Sequence, residues 1–244
     1  MSLEKDEVYL KNVEKIGNSS NNINVSSNVL SKEDHEKLVN FSLGVESWTK
    51  KPWGVYVLSS EDIPEEISKI LSKIFKIAHK KMTFLYKVAV DPIGESKFNI
   101  VKFEEGYSMH LHADTMSQAQ FHLASVYYVN DDYDGGEISF PDHGIKIKPK
   151  ANSLIIFPGN EDYKHETLKV VGNSRYTSTM FFQFTGSDFS GVSGDGTSYA
   201  WVNYVRNTFF FNFTFFIAIY DTNKKESCNS RKHSEAFNNA RVFK

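Results

Sequence analysis

The stretch ASVYYVNDDYDGGEISFP, residues 124–141, places two short runs of β-branched and aromatic residues on either side of a turn containing Gly135 and Gly136. This composition is typical of two strands joined by a turn. The same texture extends from about residue 97 to residue 184, and it predicts about eight strands: Lys97–Phe103, Met109–Ala113, Phe121–Asn130, Glu137–Phe140, Ile145–Lys148, Ser153–Phe157, Thr167–Val171 and Tyr176–Phe184. Strands at such regular short intervals favour a mainly β fold with a double-stranded β-helix, or jelly-roll, core.

Two helices are expected to flank this core. Ser31, with Asp34 three positions later, resembles a capping box at the start of the first helix. In the second helix, Pro64 fits the first turn. Apolar residues of the second helix recur at intervals of three and four, at Ile63, Ile67, Ile70, Leu71, Ile74, Ile77, Ala78 and Met82.

The segments before and after the core are less informative. Residues 1–27 run into the polar stretch NSSNNINVSSN, which has little apolar surface to bury, so a loosely held N-terminal arm is expected. The jelly-roll domain is expected to span residues 28–185. Residues 186–244 form a C-terminal extension to which the sequence assigns no structure.

Composition argues against several classes of protein. The chain has 244 residues, with 28 Lys and Arg against 30 Asp and Glu, so it has no basic surplus for nucleic acid. A single cysteine, Cys228, excludes an internal disulfide framework and a thiolate zinc site. The start MSLEKDEVYL lacks the apolar region of a secretory signal, and the most apolar window, Phe209–Tyr220, is too short for a membrane helix. We therefore expect a cytoplasmic protein that binds neither nucleic acid nor membranes.

His112 and Asp114 form a His-x-Asp motif at the end of a predicted strand. Residues two apart in an extended chain point to the same face, so this imidazole and this carboxylate can converge on one ion. His165 begins a later strand, and two histidines with one carboxylate on a β-scaffold make the facial triad of non-haem Fe(II) oxygenases. Such a triad leaves coordination positions open for a chelating 2-oxo acid and for dioxygen.

Arg175 follows His165 by ten residues and is the candidate partner for a carboxylate of that co-substrate. A guanidinium group suits this role because it is planar, bidentate and always charged. Thr177 lies two residues further along, on the same strand face, where its hydroxyl could add a second hydrogen bond to the carboxylate.

Four stretches in this order and spacing resemble the Fe(II)/2-oxoglutarate-dependent dioxygenases, specifically their prolyl 4-hydroxylase-like branch. The stretches are FNIVKFEEGYSMHLHAD (98–114), ASVYYVNDDYDGGEISFP (124–141), IKPKANSLIIFPG (147–159) and KHETLKVVGNSRYTSTMFF (164–182). The resemblance implies that His112, Asp114 and His165 are the catalytic iron ligands. It also implies that Arg175 binds the C5 carboxylate of 2-oxoglutarate, that Tyr128 contributes a phenol to the same carboxylate, and that Thr177 stands where the family often has a hydroxyl. The implied cofactors are Fe(II), 2-oxoglutarate as co-substrate and O₂, with ascorbate as a candidate accessory reductant.

The same resemblance implies hydroxylation of an unactivated C–H bond, with release of succinate and CO₂. A peptidyl proline is the first choice of substrate, and a free amino acid or another side chain is the alternative. Phe121 and Phe181 stand where animal-type prolyl hydroxylases carry a substrate-facing arginine and a tryptophan, so a more apolar pocket is expected. Phe103 lacks a hydroxyl that the family often has there, and Tyr107 is a candidate to compensate.

Three competing interpretations fit the sequence less well. Cupins share the jelly roll and a His-x-His pattern such as His110 and His112, but they would place a glutamate where Met116 and Ser117 stand. An alkylated-base repair oxygenase would carry a further arginine at the position of Phe181. A non-catalytic jelly-roll binding protein would keep the fold without a working site. His110 itself could support the site, line the substrate pocket or simply be exposed.

Overall fold

The computed structural model describes residues 6–93 and 98–187. The predictions made for Cys228 and for the apolar window Phe209–Tyr220 lie outside the described residues, as does almost all of the predicted extension 186–244. The division of the chain into arm, domain and extension stays a prediction.

All strand pairs in the described part of the chain are antiparallel. The strands are β1 Asn24–Ser27, β2 Thr49–Lys50, β3 Tyr56–Ser59, β4 Val90–Pro92, β5 Asn99–Phe103, β6 Met109–His112, β7 Leu123–Tyr128, β8 Tyr133–Gly135, β9 Ile138–Phe140, β10 Ile145–Ile147, β11 Ser153–Pro158, β12 His165–Thr167, β13 Val170–Gly172 and β14 Arg175–Phe184. The larger sheet has the order β1-β11-β7-β14-β5-β3-β2, with β4 also paired to β14. The smaller sheet has the order β10-β9-β12-β6, and β13 pairs with β8. The predicted mainly β, jelly-roll fold is confirmed.

Strand β7 shows how the sequence separates two cores. Its residues alternate across the sheet, as they must in an extended chain. Leu123 and Tyr127 join the core beneath the helices, whereas Ala124, Val126 and Tyr128 join the core between the two sheets. Because both faces of β7 are buried, the strand reads as a continuous apolar run rather than as an alternating one.

The helices are α1 Glu7–Ile16, α2 Lys32–Gly44, α3 Glu65–Tyr86 and the short α4 Asp114–Ser117. The predicted cap of α2 is confirmed, because Ser31 Oγ accepts a hydrogen bond from the Asp34 amide at 3.2 Å. Helix α3 begins directly after Pro64, and the predicted stripe that includes Ile67, Ile74 and Met82 is buried against the larger sheet. The described part of the chain contains no helix long and apolar enough to span a membrane.

The expectation of a loosely held arm is wrong for residues 6–27. Helix α1 buries Tyr9, whose ring lies 4.9 Å from that of His122 and 6.1 Å from that of Phe184. Strand β1 pairs with β11 over all four of its residues and forms one edge of the larger sheet. The polar stretch therefore finds backbone partners in the sheet, which composition alone does not indicate.

The predicted strand Thr167–Val171 is also wrong. The structure divides this stretch between β12 in the smaller sheet and β13, which pairs with β8. Leu168 and Lys169 form the crossing, where the Leu168 amide donates to the Glu137 carbonyl at 2.9 Å. The strand-like pattern of the sequence continues through these two residues. It therefore does not show that the pairing strand changes there from β9 to β8.

Candidate active site

His112 and His165 face each other across the smaller sheet. They are direct partners in the register of β6 and β12, and their ring centroids lie 4.4 Å apart. Asp114 begins α4 immediately after β6. Its Oδ1 lies 3.9 Å from Nε2 of each histidine, and the three ligand atoms lie within 4.8 Å of one another. The structure thus brings the three predicted ligands together as a group that could hold a metal ion.

Backbone carbonyls fix the tautomer of both histidines. Nδ1 of His112 lies 2.8 Å from the carbonyl of His110, and Nδ1 of His165 lies 3.1 Å from the carbonyl of Tyr163. A carbonyl can only accept a hydrogen bond, so each Nδ1 carries the proton. Each Nε2 therefore presents its lone pair towards Asp114, which is the form that binds a metal.

Burial keeps both imidazoles neutral. It lowers the pKa of His165 to about 3, and it also lowers the pKa of His112 below its ordinary value. Burial likewise raises the pKa of Asp114 to about 8, and Asp114 Oδ2 has no hydrogen-bond partner among the described residues. A divalent cation would supply the charge partner that this buried carboxylate lacks. The donor set of two nitrogens and one carboxylate oxygen fits Fe(II).

Gly159 brings the end of β11 against Asp114. A Cβ at this position would lie 2.2 Å from the Phe121 carbonyl oxygen and 3.1 Å from Asp114 Cβ, so only glycine fits. The Gly159 carbonyl in turn accepts a hydrogen bond from the Thr115 amide at 3.0 Å. Gly159 is not among the site residues predicted from the sequence, although its place after the apolar run SLIIFP is a usable signal.

Arg175 lies at the start of β14, on the face of the larger sheet that looks towards the smaller one. Its Cζ lies 4.5 Å from the ring centroid of Phe103 and 5.0 Å from that of Tyr128, and the residue is 2% exposed. Thr177 is the direct partner of Tyr128 in the register of β14 and β7. The guanidinium group is therefore held between two aromatic faces, an arrangement that stabilises a cation.

Several polar atoms around Arg175 are buried without a hydrogen-bond partner among the described residues. They are Arg175 Nε and Nη1, Tyr128 Oη, Tyr133 Oη and Thr177 Oγ1. Unpaired buried polar groups are costly, so a concentration of them around one guanidinium needs an explanation. Because all of these atoms can donate a hydrogen bond, an anion of carboxylate type fits the cluster, as the distal end of 2-oxoglutarate would.

The cluster contains the three residues predicted to bind the co-substrate, together with Tyr133, which the sequence analysis missed. Tyr107, the candidate to replace the hydroxyl that Phe103 lacks, packs against Phe103. The two ring centroids lie 5.3 Å apart. His110 is not part of the metal-ligand group found among the described residues; its backbone carbonyl accepts from His112 Nδ1, and its ring centroid lies 5.9 Å from that of His112. The catalytic and binding roles of the predicted site residues stay predictions.

Phe121 and Phe181 form a stacked pair. Their ring centroids lie 3.8 Å apart with an interplanar angle of 4°, and both residues are half-buried. Phe181 lies on the same face of β14 as Arg175 and Thr177, and the Phe121 backbone contacts Gly159 beside Asp114. The predicted apolar positions are thus adjacent and lie close to the metal-ligand group.

Comparison with known proteins agrees with this geometry. Residues 98–183 match the family model of the 2OG-Fe(II) oxygenase superfamily, and this segment contains His112, Asp114, His165 and Arg175. No curated protein matches the chain in sequence. The predicted resemblance to Fe(II)/2-oxoglutarate-dependent dioxygenases is confirmed, and the family match with the triad supports the use of Fe(II) and 2-oxoglutarate.

Three solved structures are similar in fold. The viral collagen prolyl hydroxylase of Paramecium bursaria Chlorella virus-1, in its 2-oxoglutarate complex, is 16% identical with a TM-score of 0.52 over 67% of this chain and 96% of that one. A prolyl-4-hydroxylase of Pseudomonas putida is 16% identical with a TM-score of 0.54 over 68% and 94%. A Trichoplax adhaerens prolyl hydroxylase, in complex with a hypoxia-inducible factor peptide, is 16% identical with a TM-score of 0.54 over 75% and 96%. At these identities the likeness concerns the fold.

Proposed function

We propose that the chain is a 2OG-Fe(II) oxygenase that hydroxylates a peptidyl proline. In the overall reaction the substrate C–H, 2-oxoglutarate and O₂ give the C–OH product, succinate and CO₂. The single observation that carries the oxygenase chemistry is the unpaired donor cluster around Arg175, between the same two sheets as the His112, Asp114 and His165 group. The prolyl substrate is supported by the fold neighbours, whose names describe prolyl hydroxylases.

The residues of the site divide the work between two clusters. His112 and His165 would bind iron through Nε2, and Asp114 would bind it through its carboxylate. Bound Fe(II) would supply the redox chemistry that couples oxidation of the co-substrate to hydroxylation. Arg175, with Tyr128 and Thr177, would fix the distal carboxylate, so that the 2-oxo acid end points towards the metal. Holding both partners in one geometry is the main contribution of the protein.

The substrate side of the proposal rests on the Phe121–Phe181 pair. A flat apolar surface of two stacked rings suits a proline ring or another apolar side chain, because aromatic faces bind such groups without requiring a polar partner. The pair itself offers no charged group that could fix a peptide backbone. This feature argues against a generic proline-rich peptide. A single proline with apolar neighbours still fits the surface, as does the second candidate, a free amino acid or another side chain.

The test is an assay of the Fe(II)-loaded chain with poly-proline, collagen-like and single-proline peptides and with free proline. Mass spectrometry would detect a gain of one oxygen atom, while succinate would be measured in parallel. We expect succinate in every reaction, product from a single-proline peptide with apolar neighbours, and little product from poly-proline. His165→Ala is the control for chemistry outside the site and should give neither product.

The possible outcomes test the prolyl substrate separately from the oxygenase chemistry. Product from none of the proline substrates, with succinate still formed, would overturn the prolyl substrate and leave the oxygenase chemistry standing. Efficient hydroxylation of poly-proline or the collagen-like peptide would show that the two phenylalanines do not set specificity. Absence of succinate under all conditions would overturn the oxygenase itself.

A further inference from the structure

We infer that Tyr133 binds the distal carboxylate of 2-oxoglutarate, as a third hydroxyl beside Tyr128 and Thr177. This inference rests on the proposed use of 2-oxoglutarate at the Arg175 cluster, and it adds a residue from a separate part of the sheet structure. Tyr128 and Thr177 come from paired strands of the larger sheet, whereas Tyr133 comes from β8, which pairs with β13.

The Tyr133 ring reaches Arg175 because Gly136 has no side chain. A Cβ on Gly136 would lie 2.8 Å from Tyr133 Cε2 and 3.3 Å from Arg175 Cδ. The Tyr133 ring and the aliphatic part of the Arg175 side chain therefore both pack against the backbone of Gly136. Gly136 also has φ +62°, a conformation that side chains other than glycine rarely adopt.

Lys148 holds Tyr133 in this orientation. Its Nζ lies 4.1 Å from the centroid of the Tyr133 ring and donates hydrogen bonds to the carbonyls of Tyr133 and Gly135, both at 2.6 Å. One ammonium group thus fixes both the ring and the backbone of β8. A hydroxyl held so firmly loses little conformational freedom when it binds a ligand.

The Tyr133 hydroxyl is available as a donor. Tyr133 is 4% exposed, and its Oη is buried. At most, this Oη accepts from the Arg175 guanidinium, which has no acceptor of its own, so no described residue takes the hydroxyl proton. Burial raises its pKa to about 12, although the nearby Arg175 charge acts in the opposite direction, so the phenol stays protonated near neutral pH. A protonated phenol donates to a carboxylate, and a bidentate guanidinium leaves acceptor sites on that carboxylate open.

The experiment measures binding rather than turnover. The full chain is loaded with Fe(II) without oxygen and titrated calorimetrically with 2-oxoglutarate and, separately, with pyruvate, which has the 2-oxo acid end but no distal carboxylate. For Tyr133→Phe we expect the Kd for 2-oxoglutarate to rise about ten- to a hundredfold, because a hydrogen bond to a charged group is lost. The Kd for pyruvate should stay within about twofold, which also shows that the variant is folded.

Tyr127→Phe is the matched control, because Tyr127 is the neighbour of Tyr128 on β7 but lies on the opposite face, in the core beneath the helices, where its hydroxyl donates to Asn152 Oδ1 at 3.1 Å. It should leave the Kd for 2-oxoglutarate unchanged. An unchanged Kd for 2-oxoglutarate in Tyr133→Phe, or an equal loss for both ligands, would overturn the inference. A wild-type protein that binds pyruvate but shows no preference for 2-oxoglutarate would overturn it together with the co-substrate assignment. Failure of every prolyl substrate, with these binding results intact, would leave the role of Tyr133 standing.

Discussion

His112 and His165 acquire their metal-binding form through the same local arrangement. In each case Nδ1 donates to the carbonyl of the residue two positions earlier in the chain. Such a bond fixes both the tautomer and the orientation of the ring, and it needs no additional side chain. Strands β6 and β12 place the two histidines opposite each other. The register of this strand pair therefore sets the position of both Nε2 atoms relative to Asp114.

Removing one of these rings should therefore remove the metal. His165→Ala leaves two ligands, which cannot hold Fe(II) firmly, and it should abolish both high-affinity metal binding and Fe(II)-dependent succinate formation. Calorimetric metal titration and a succinate assay would measure the two effects. His110→Ala is the matched control from the same strand: it keeps the backbone carbonyl that orients His112, so metal binding should persist. Wild-type metal affinity in His165→Ala would contradict the assignment of this ligand.

The sequence predicted which residues meet in the site better than it predicted what surrounds them. His112, Asp114 and His165 carry a recognisable donor set, and the alternation of β14 places Arg175 and Thr177 on one face. Tyr133 gave no such signal, because it lies among acidic residues before a Gly-Gly turn and joins Arg175 only through the pairing of β8 with β13. That contact depends on strand order, which a local pattern does not contain.

At the scale of the element, the long and apolar strands were predictable and the short ones were not. Strands β7, β11 and β14 are largely buried and rich in β-branched and aromatic residues. Strands β2 and β4 have two and three residues, and both residues of β2 are exposed. These short strands are held by hydrogen bonds to a longer neighbouring strand. Their own sequences therefore need not show the alternation that predicts a strand.

The β8–β13 ribbon depends on Gly135 for a steric reason that can be tested. Gly135 and Gly144 have nearly the same φ, +61° and +63°, but only at Gly135 would a Cβ lie 1.9 Å from a backbone oxygen, that of Lys169. Alanine at either position should cost about 1 kcal/mol from the left-handed backbone. Gly135→Ala should cost about 1 to 3 kcal/mol more, because the ribbon must shift.

Urea unfolding of the two variants would measure this difference. Gly144→Ala controls for the backbone conformation alone, since no atom lies within 4 Å of its new Cβ. Equal free energies of unfolding for both variants would contradict the steric argument. Weaker 2-oxoglutarate binding in Gly135→Ala alone is also expected, because a shift of the ribbon would displace Tyr133.

At the scale of the whole described molecule, three hydrophobic clusters pack against the larger sheet. One lies between the two sheets, one lies beneath the helices, and a smaller one contains Phe103 and Tyr133 beside Arg175. Strand β14 has Arg175 and Thr177 on the face towards the site and Tyr176 and Phe182 on the face towards the helices. Loss of packing under the helices should therefore reach the site through this strand.

Tyr9 tests whether the N-terminal segment belongs to this structure. It is 8% exposed and joins the core beneath the helices, where it contacts His122 and Phe184. Truncating a buried aromatic side chain removes apolar contacts and leaves a cavity, so Tyr9→Ala should lower the free energy of unfolding by about 3 kcal/mol. Urea titrations followed by tryptophan fluorescence and by far-UV circular dichroism would measure it.

The adjacent Leu10 provides the control, because it lies on the same helix but is 48% exposed. Leu10→Ala should change the free energy of unfolding by no more than about 0.5 kcal/mol. If residues 6–27 were a loosely held arm, both variants would unfold like the wild type. If α1 packs as an integral part of the sheet structure, Tyr9→Ala should move the fluorescence and dichroism transitions together, because an element joined to the core is lost only when the core unfolds.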